Sequence, residues 1–175
     1  MVLLGLVLFC TALARGGAGD APAPKVHELQ AAFIYNFTKF IEWPTNSFRD
    51  TPAPFVIAVA GNSPCLTALE ELARGRKVAG RALVIVPVKS VEAARSAQVV
   101  FVPATEEKKW LPGGCGPNVL TIGESEWFSK NGGMINLLME GEKIRFEIDM
   151  DKAESAGLKV SAQLQKLAKT VRRKS

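Results

Sequence analysis

The chain has 175 residues, of which 47% are hydrophobic and 22% are charged. This composition supplies enough apolar sequence for the core of one globular domain and argues against intrinsic disorder. The formal net charge of +5 is modest and its basic residues are spread along the chain, so the composition does not predict a nucleic-acid-binding protein.

The first 14 residues predict a secretory signal peptide. They contain an uncharged apolar run, too short to span a bilayer, that ends in the small-x-small sequence Ala-Leu-Ala. Cys10 lacks the small residue that a lipoprotein signal needs before it, so we expect cleavage after Ala14, rather than a lipid anchor or an uncleaved anchor, and export to a periplasm. Residues 15–24 are rich in Gly, Ala and Pro and predict a flexible spacer. No Lys or Arg precedes the apolar run, which leaves the start codon open.

The sequence AAFIYNFTKFIEWP, residues 31–44, predicts a core helix that ends at Pro44. Together with the preceding Leu29, its residues Phe33, Phe37, Phe40 and Ile41 recur with helical spacing and would form one buried apolar stripe. Tyr35 and Lys39 fall one turn apart on a polar face. They would belong either to a protein interface or to an ordinary solvated surface.

The middle of the chain alternates apolar runs with short helices, which predicts a largely parallel sheet with helices on both faces. The predicted strands are residues 55–60, 82–86, 99–102 and 119–122. Residues 134–139 and 142–148 then flank Glu140-Gly141 as a β-hairpin. Ser161 would cap a terminal helix whose apolar stripe is Leu164, Leu167, Ala168 and Val171. We therefore expect one α/β domain over residues 25–175.

Asn62 and Ser63 lie where the first buried strand ends and a helix begins. Open α/β sheets hold ligands at this edge, and free N–H groups at a helix start attract anions. Asn62 and Ser63 are therefore a candidate ligand surface, although a plain helix cap explains the same residues.

Cys65 and Cys115 remain after cleavage, and an oxidising compartment favours a disulfide. Cys65 follows one predicted strand whereas Cys115 precedes another, so parallel strands would place the two at opposite edges of the sheet. A strand of five residues separates those edges by about 16 Å, whereas a disulfide requires Cα atoms within about 7 Å. We predict that Cys65 and Cys115 are not bonded to each other.

The sequence contains little that could perform catalysis. His27 is the single histidine, and no nucleophile motif accompanies it. The chain has no Walker loop or dinucleotide fingerprint, and one histidine with two separated cysteines lacks the usual zinc ligand set. The sequence therefore predicts no catalytic residues, no metal site and no cofactor, and a protein that is not an enzyme.

Three stretches resemble the YfiR family of small bacterial periplasmic proteins. They are AAFIYNFTKFIEWP, GGMINLL at residues 132–138, and IRFEIDMDKAESAGLKVSAQLQKLA at residues 144–168. The resemblance implies a regulator rather than an enzyme. Its partner would be an inner-membrane signalling protein with a periplasmic domain, of the diguanylate cyclase type, so that the protein would influence cyclic-di-GMP signalling.

The cysteines depart from the best-understood member type, whose contact with the cyclase is redox-dependent. At SAQVVFV, where a family cysteine is expected, this chain has Ala97 and Gln98. The resemblance therefore implies location and fold more strongly than redox control. A small-solute-binding accessory domain in the periplasm remains the alternative, and the sequence leaves open whether the chain forms a homodimer.

Overall fold

The computed structural model describes residues 26–48, 52–110 and 115–173. The predictions for the signal peptide and the spacer lie outside these residues. The elements follow in the order α1 Val26–Phe37, β1 Ile41–Glu42, a 3-10 helix Thr45–Ser47, β2 Phe55–Ala60, α2 Pro64–Ala73, β3 Lys77–Val78, β4 Arg81–Val88, α3 Val91–Ala94, β5 Val99–Val102, α4 Glu107–Trp110, β6 Leu120–Gly123, α5 Glu126–Lys130, β7 Ile135–Glu140, β8 Lys143–Asp149, α6 Met150–Ser155, β9 Lys159–Val160, α7 Ala162–Leu167 and β10 Thr170–Arg172.

Eight strands form one mixed sheet in the order β10-β8-β7-β6-β5-β2-β4-β3. The five strands from β7 to β4 are parallel, whereas β8 runs antiparallel to β7 and β3 runs antiparallel to β4. β10 returns parallel to β8, and β1 pairs with β9 in a separate two-stranded sheet. The predicted α/β fold with a mostly parallel sheet and a hairpin near its end is confirmed.

Alternate residues of the central strands supply two hydrophobic cores, one on each face of the sheet. On β2, Ile57 and Val59 point towards the face covered by α1 and α2, which we call the α1 face. Ala58 and Ala60 point towards the face covered by α3, α4 and α5, which we call the α5 face. Because every side chain of β5 is buried, this strand lacks a wet face.

The first helix is shorter than predicted. It ends at Phe37, and three successive i to i+3 backbone hydrogen bonds turn the chain at residues 38–40. The hydroxyl of Thr38 donates to the carbonyl of Tyr35 at 2.6 Å, which competes with continuation of the helix. Ile41 is buried because it lies opposite Val160 in the small sheet, not because it continues a helical stripe.

The polar face predicted for this helix is correct for Lys39, which is exposed, and wrong for Tyr35, which is buried with an exposed fraction of 9%. Its neighbour Ile34 is fully buried. Phe33 and Phe40 are only partly buried against the same core.

The C-terminal part of the structure differs from the prediction in two ways. The hairpin turn consists of Gly141 and Glu142, one residue later than predicted, with Gly141 in the left-handed region at φ +60°. The terminal helix is only six residues long, and Val171 belongs to the edge strand β10 instead of the helix. The amide of Lys169 donates to the carbonyl of Phe146 at 2.8 Å, which starts the pairing of this strand with β8.

Gln98 connects the segment after α1 to the start of the sheet. Its side-chain amide donates to the carbonyl of Ser47 at 2.8 Å and accepts from the amide of Val56 at 2.8 Å. Its backbone carbonyl accepts from the indole of Trp43 at 3.1 Å and from the amide of Leu120 at 2.9 Å. Gln98 is 4% exposed, so these bonds are protected from water.

We predict that Gln98→Ala lowers the free energy of unfolding by about 2 kcal/mol, because it leaves a shielded donor and a shielded acceptor unpaired. Gln163→Ala, at an exposed position of α7, should change it by less than about 0.5 kcal/mol. Equilibrium denaturation with guanidinium chloride measures both. Equal stability of the two variants would show that Gln98 does not anchor this segment.

Candidate functional site

Three concavities of the described surface could hold a ligand or a partner. The carboxyl-edge pocket has a volume of about 150 Å³ and is lined by His27, Gln30, Asn62, Ser63, Pro64, Pro103, Thr105 and Glu124. The aromatic groove, of about 330 Å³, is lined by Phe33, Asn36, Phe37, Lys39, Phe40, Phe146, Leu164 and Leu167. The amino-edge cavity, of about 770 Å³, lies where β7 begins and where β8 and β10 end.

The carboxyl-edge pocket lies at the topological switch point of the sheet. The chain passes from β2 to β4 on one side and returns to β5 on the other, so the connections diverge beyond the ends of β2 and β5. The structure thus places the predicted pair Asn62 and Ser63 in a pocket, together with His27 from the start of α1.

A chain of hydrogen bonds crosses this pocket. The Nδ1 atom of His27 lies 3.0 Å from Oε1 of Gln30, and Nε2 of Gln30 donates to Oε2 of Glu124 at 2.5 Å. The other carboxylate oxygen of Glu124 accepts from the amide of Ala104 at 3.0 Å. Sequence reasoning missed Glu124, because the pocket exists only where the start of α1, the start of α2 and the segment after β5 meet beside it.

The geometry does not favour the anion expected from the helix start. Ser63 caps α2: its hydroxyl accepts from the amide of Cys65 at 3.2 Å and its carbonyl from the amide of Leu66 at 2.9 Å. The carboxylate of Glu124 already supplies negative charge. The side chain of Glu106 also covers Gly61 so closely that an added Cβ would lie 2.7 Å from it. The pocket is therefore suited to a hydrogen-bond donor or a small cation.

Tyr35 and Lys39 come together, but far from Asn62 and Ser63. The Nζ atom of Lys39 lies 4.4 Å from the centroid of the Tyr35 ring, and the guanidinium of Arg76 lies 5.2 Å from it. α1 is 12 residues long, which separates Lys39 from His27 by about 18 Å or more. The four residues predicted as a candidate surface therefore lie at two separate places. Of Tyr35 and Lys39, only Lys39 lines a groove.

The aromatic groove is built on three edge-to-face rings. The centroids of Phe37 and Phe146 are 5.0 Å apart, and Phe33 lies 6.1 and 6.2 Å from them. α7 forms the other wall with buried Leu164 and with Leu167, which is 60% exposed. Sequence reasoning placed Leu167 in the apolar stripe of the terminal helix; the structure shows it as the last residue of α7, exposed to solvent.

Ion pairs satisfy the cations around the amino-edge cavity. Arg172 donates to the hydroxyl of Ser129 at 2.7 Å and to the carboxylate of Glu147 at 2.9 Å. Lys152 lies 3.1 Å from a carboxylate oxygen of Asp149 and donates to the carbonyl of Ser129 at 3.2 Å. These contacts close the wall of the cavity and balance its charge.

The two cysteines lie in different cores. Cys65 packs in the α1-face core and Cys115 in the α5-face core, and both are free thiols. Burial raises the pKa of Cys65 to about 12, and the nearby charge of Glu124 adds to this. Burial raises the pKa of Cys115 to about 11, while the positive charge of Arg95 acts in the opposite direction.

No group of three or more His, Cys, Asp or Glu side chains among the described residues could hold a metal ion. Nor does any helix in this part of the chain have the length and apolar character needed to cross a membrane.

Comparisons with known proteins bear on family and fold. The model of the family described as YfiR/HmsC-like matches residues 27–169. No curated protein matches the sequence. Two solved structures share the fold at 13% identity: the ABC domain in complex with L-Trp from Streptococcus pneumonia (TM-score 0.50; 83% of this chain, 62% of that one) and a conserved domain protein from Vibrio cholerae O1 biovar El Tor strain N16961 (TM-score 0.51; 84% and 60%). The chain spans about three fifths of their length, and this likeness concerns the fold alone.

We predict that both thiols react slowly with a disulfide reagent in the native protein. A pKa of about 11 in place of 9 for Cys115 leaves about 100-fold less thiolate near neutral pH, and Cys65 is more strongly shifted. Labelling with Ellman's reagent at pH 8 should be at least about 100-fold slower in the native protein than in guanidinium chloride. Native labelling at the rate of the unfolded chain would contradict this burial.

Proposed function

Because the chain belongs to the YfiR/HmsC-like family, we propose that it is a periplasmic regulator that tunes a membrane signalling protein by direct contact. The partner is an inner-membrane protein with a periplasmic domain, of the diguanylate cyclase type that the family resemblance implies. Export by cleavage of the leader at residues 1–14 belongs to the same proposal. The family match over residues 27–169 is the observation that carries it.

The chemistry of the described residues supports contact rather than turnover. Both thiols are buried with raised pKa values, which removes the usual cysteine nucleophile. His27 is hydrogen-bonded to Gln30 in a small pocket, and no serine or cysteine is bonded to it among the described residues. A protein of this kind acts by presenting a surface.

The aromatic groove is the surface that we assign to the partner. Three packed rings make a rigid wall at low entropic cost, and the exposed Leu167 gives an apolar anchor at its rim. Lys39 lines the groove and Lys166 lies exposed beside Leu167. The occupant is therefore an apolar segment of the partner's periplasmic domain that is flanked by acidic residues.

We predict that Leu167→Glu weakens the regulatory contact by at least about 10-fold, because it places a charge at an apolar anchor without disturbing a buried site. The variant should fold normally since Leu167 is 60% exposed. Cyclic-di-GMP is measured in a strain deleted for the gene and complemented with each variant. Wild type should restore the normal level and Leu167→Glu should not.

Met139→Glu is the matched control, because Met139 is an apolar residue of similar exposure, 50%, near the tip of the β7-β8 hairpin. It should complement like wild type. Affinity capture from solubilised inner membranes should retain a protein with a periplasmic and a cyclase domain on wild type and Met139→Glu only. Deletion without any change in cyclic-di-GMP would refute the function, and full complementation by Leu167→Glu would refute the surface.

The carboxyl-edge pocket supports a second candidate, a small-solute-binding accessory domain. Glu124 and Asn62 would accept hydrogen bonds from a compact amine or amide that fits a volume of about 150 Å³. This candidate acts at the other end of α1 from the aromatic groove, so the two can be tested separately.

We predict, for this second candidate, that a small amine or amide raises the melting temperature of the wild-type protein, because a ligand that binds only the folded state stabilises it. Glu124→Gln should abolish the rise for amines by removing the charge while keeping the shape of the side chain. A panel of small amines, amides and carboxylic acids is scanned by differential fluorimetry. A flat response to the whole panel would eliminate the candidate.

A further inference from the structure

Two cations contact the ring of Tyr35. The Nζ atom of Lys39 lies 4.4 Å from the ring centroid, and the guanidinium of Arg76 lies 5.2 Å from it. No carboxylate of the described residues forms an ion pair with either side chain. Because both cations contact one ring, their charges lie within one Debye length of each other, which is about 10 Å at 0.1 M salt. This surface therefore concentrates positive charge that the described residues leave without a counter-charge.

The hydroxyl of Tyr35 is a third donor at the same place. The residue is 9% exposed, and no hydrogen bond joins its hydroxyl to another described residue. A tyrosine that is buried to this extent usually finds a partner for its O–H group. The hydroxyl and the two cations thus form a set of donors that lacks an acceptor, which we call the Tyr35 site.

Hydrogen bonds hold both cations in place. Arg76 follows α2, where its amide donates to the carbonyl of Ala73 at 2.9 Å and its carbonyl accepts from the amide of Leu83 at 3.0 Å. The Nζ atom of Lys39 donates to the side-chain oxygen of Asn36 at 3.0 Å. An anion that binds here has less conformational freedom to remove than it would from unrestrained side chains.

Lys39 connects the Tyr35 site to the aromatic groove, because it lines the groove as well as contacting the tyrosine ring. One ligand could therefore place an apolar part in the groove and an anionic group at the Tyr35 site. A carboxylate accepts two parallel hydrogen bonds from a guanidinium and has lone pairs left for a tyrosine hydroxyl. The ammonium of Lys39 would add a point charge beside it.

We infer that the Tyr35 site binds the carboxylate of an Asp or Glu side chain of the partner, adjoining the apolar residues that occupy the aromatic groove. The inference rests on the proposed function and adds Arg76 and Tyr35 to its contact surface. Arg76 forms the paired hydrogen bonds, and the hydroxyl of Tyr35 donates to the same carboxylate. The site also selects the partner, since a segment without the acid would leave two neighbouring cations desolvated and uncompensated.

The first test needs no partner. Tyr35 is the single tyrosine of the chain, so biosynthetic labelling with fluorotyrosine places one fluorine nucleus at the site. Fluorine NMR of the purified full chain is recorded while succinate is added at constant ionic strength. The resonance should shift and saturate with succinate and should not move with succinamide, the uncharged amide. Arg76→Gln should abolish the shift. Arg74→Gln, the same substitution at the exposed C-cap of α2, is the matched control and should retain it.

The second test uses the partner. Arg76→Glu should weaken retention of the cyclase on the captured protein at least about 10-fold, because it places like charges together, and should fail to restore cyclic-di-GMP in the deleted strain. Arg74→Glu should behave like wild type in both measurements. The melting temperature of each variant checks that it is folded, which we expect because both arginines are exposed.

The outcomes separate this inference from the proposed function. Failure of Leu167→Glu to complement, together with full complementation by Arg76→Glu, would keep the function and overturn the inference. In the NMR titration, a resonance that does not move, a shift that survives Arg76→Gln, or a shift with inorganic phosphate but not with succinate would each overturn the carboxylate site.

Discussion

The position of α1 depends on the buried amide of Gln98. This one side chain holds Ser47 on one side and Val56 on the other, while its carbonyl receives the indole of Trp43. Trp43 packs edge-on against Phe55 at a centroid distance of 5.0 Å, so the exit from α1 is fixed to the start of β2. The aromatic groove lies on α1, and its shape therefore rests on this anchor at the amino edge of the sheet. Gln98 and these hydrogen bonds stand where the family resemblance led us to expect a cysteine.

The distribution of charge explains why the aromatic groove, and not the carboxyl-edge pocket, is the main candidate surface. In open parallel sheets the crevice beyond the strand ends is the usual ligand site. Here Glu124 lies in that crevice and Glu106 covers Gly61, so the chain's own carboxylates already place negative charge there. The groove between α1 and α7 is apolar, has a cation at its side and is open to solvent. The aromatic groove is therefore better suited to recognise another protein than the carboxyl-edge pocket is.

Sequence reasoning succeeded where the determining interactions are local. The bounds of β2 and β5 were predicted residue for residue, because buried parallel strands appear as unbroken apolar runs. The start of α2 was also correct, since Ser63 and Pro64 are neighbours in sequence as well as in the cap. The errors arose from partners distant in the chain. Ile41 leaves the helix to pair with Val160, and Tyr35 is buried beneath Lys39 and Arg76. Glu124 lies in the carboxyl-edge pocket beside residues that are distant from it in the sequence.

The separation of the two thiols by the sheet bears on how the protein can be made. Maturation needs neither an oxidase nor an isomerase to join Cys65 with Cys115, because their packing in opposite cores keeps them apart. The domain should consequently reach the same native form in a reducing cytosol as in an oxidising export compartment. Recombinant production without a leader, and without refolding from inclusion bodies, then becomes a practical route to material for crystallisation.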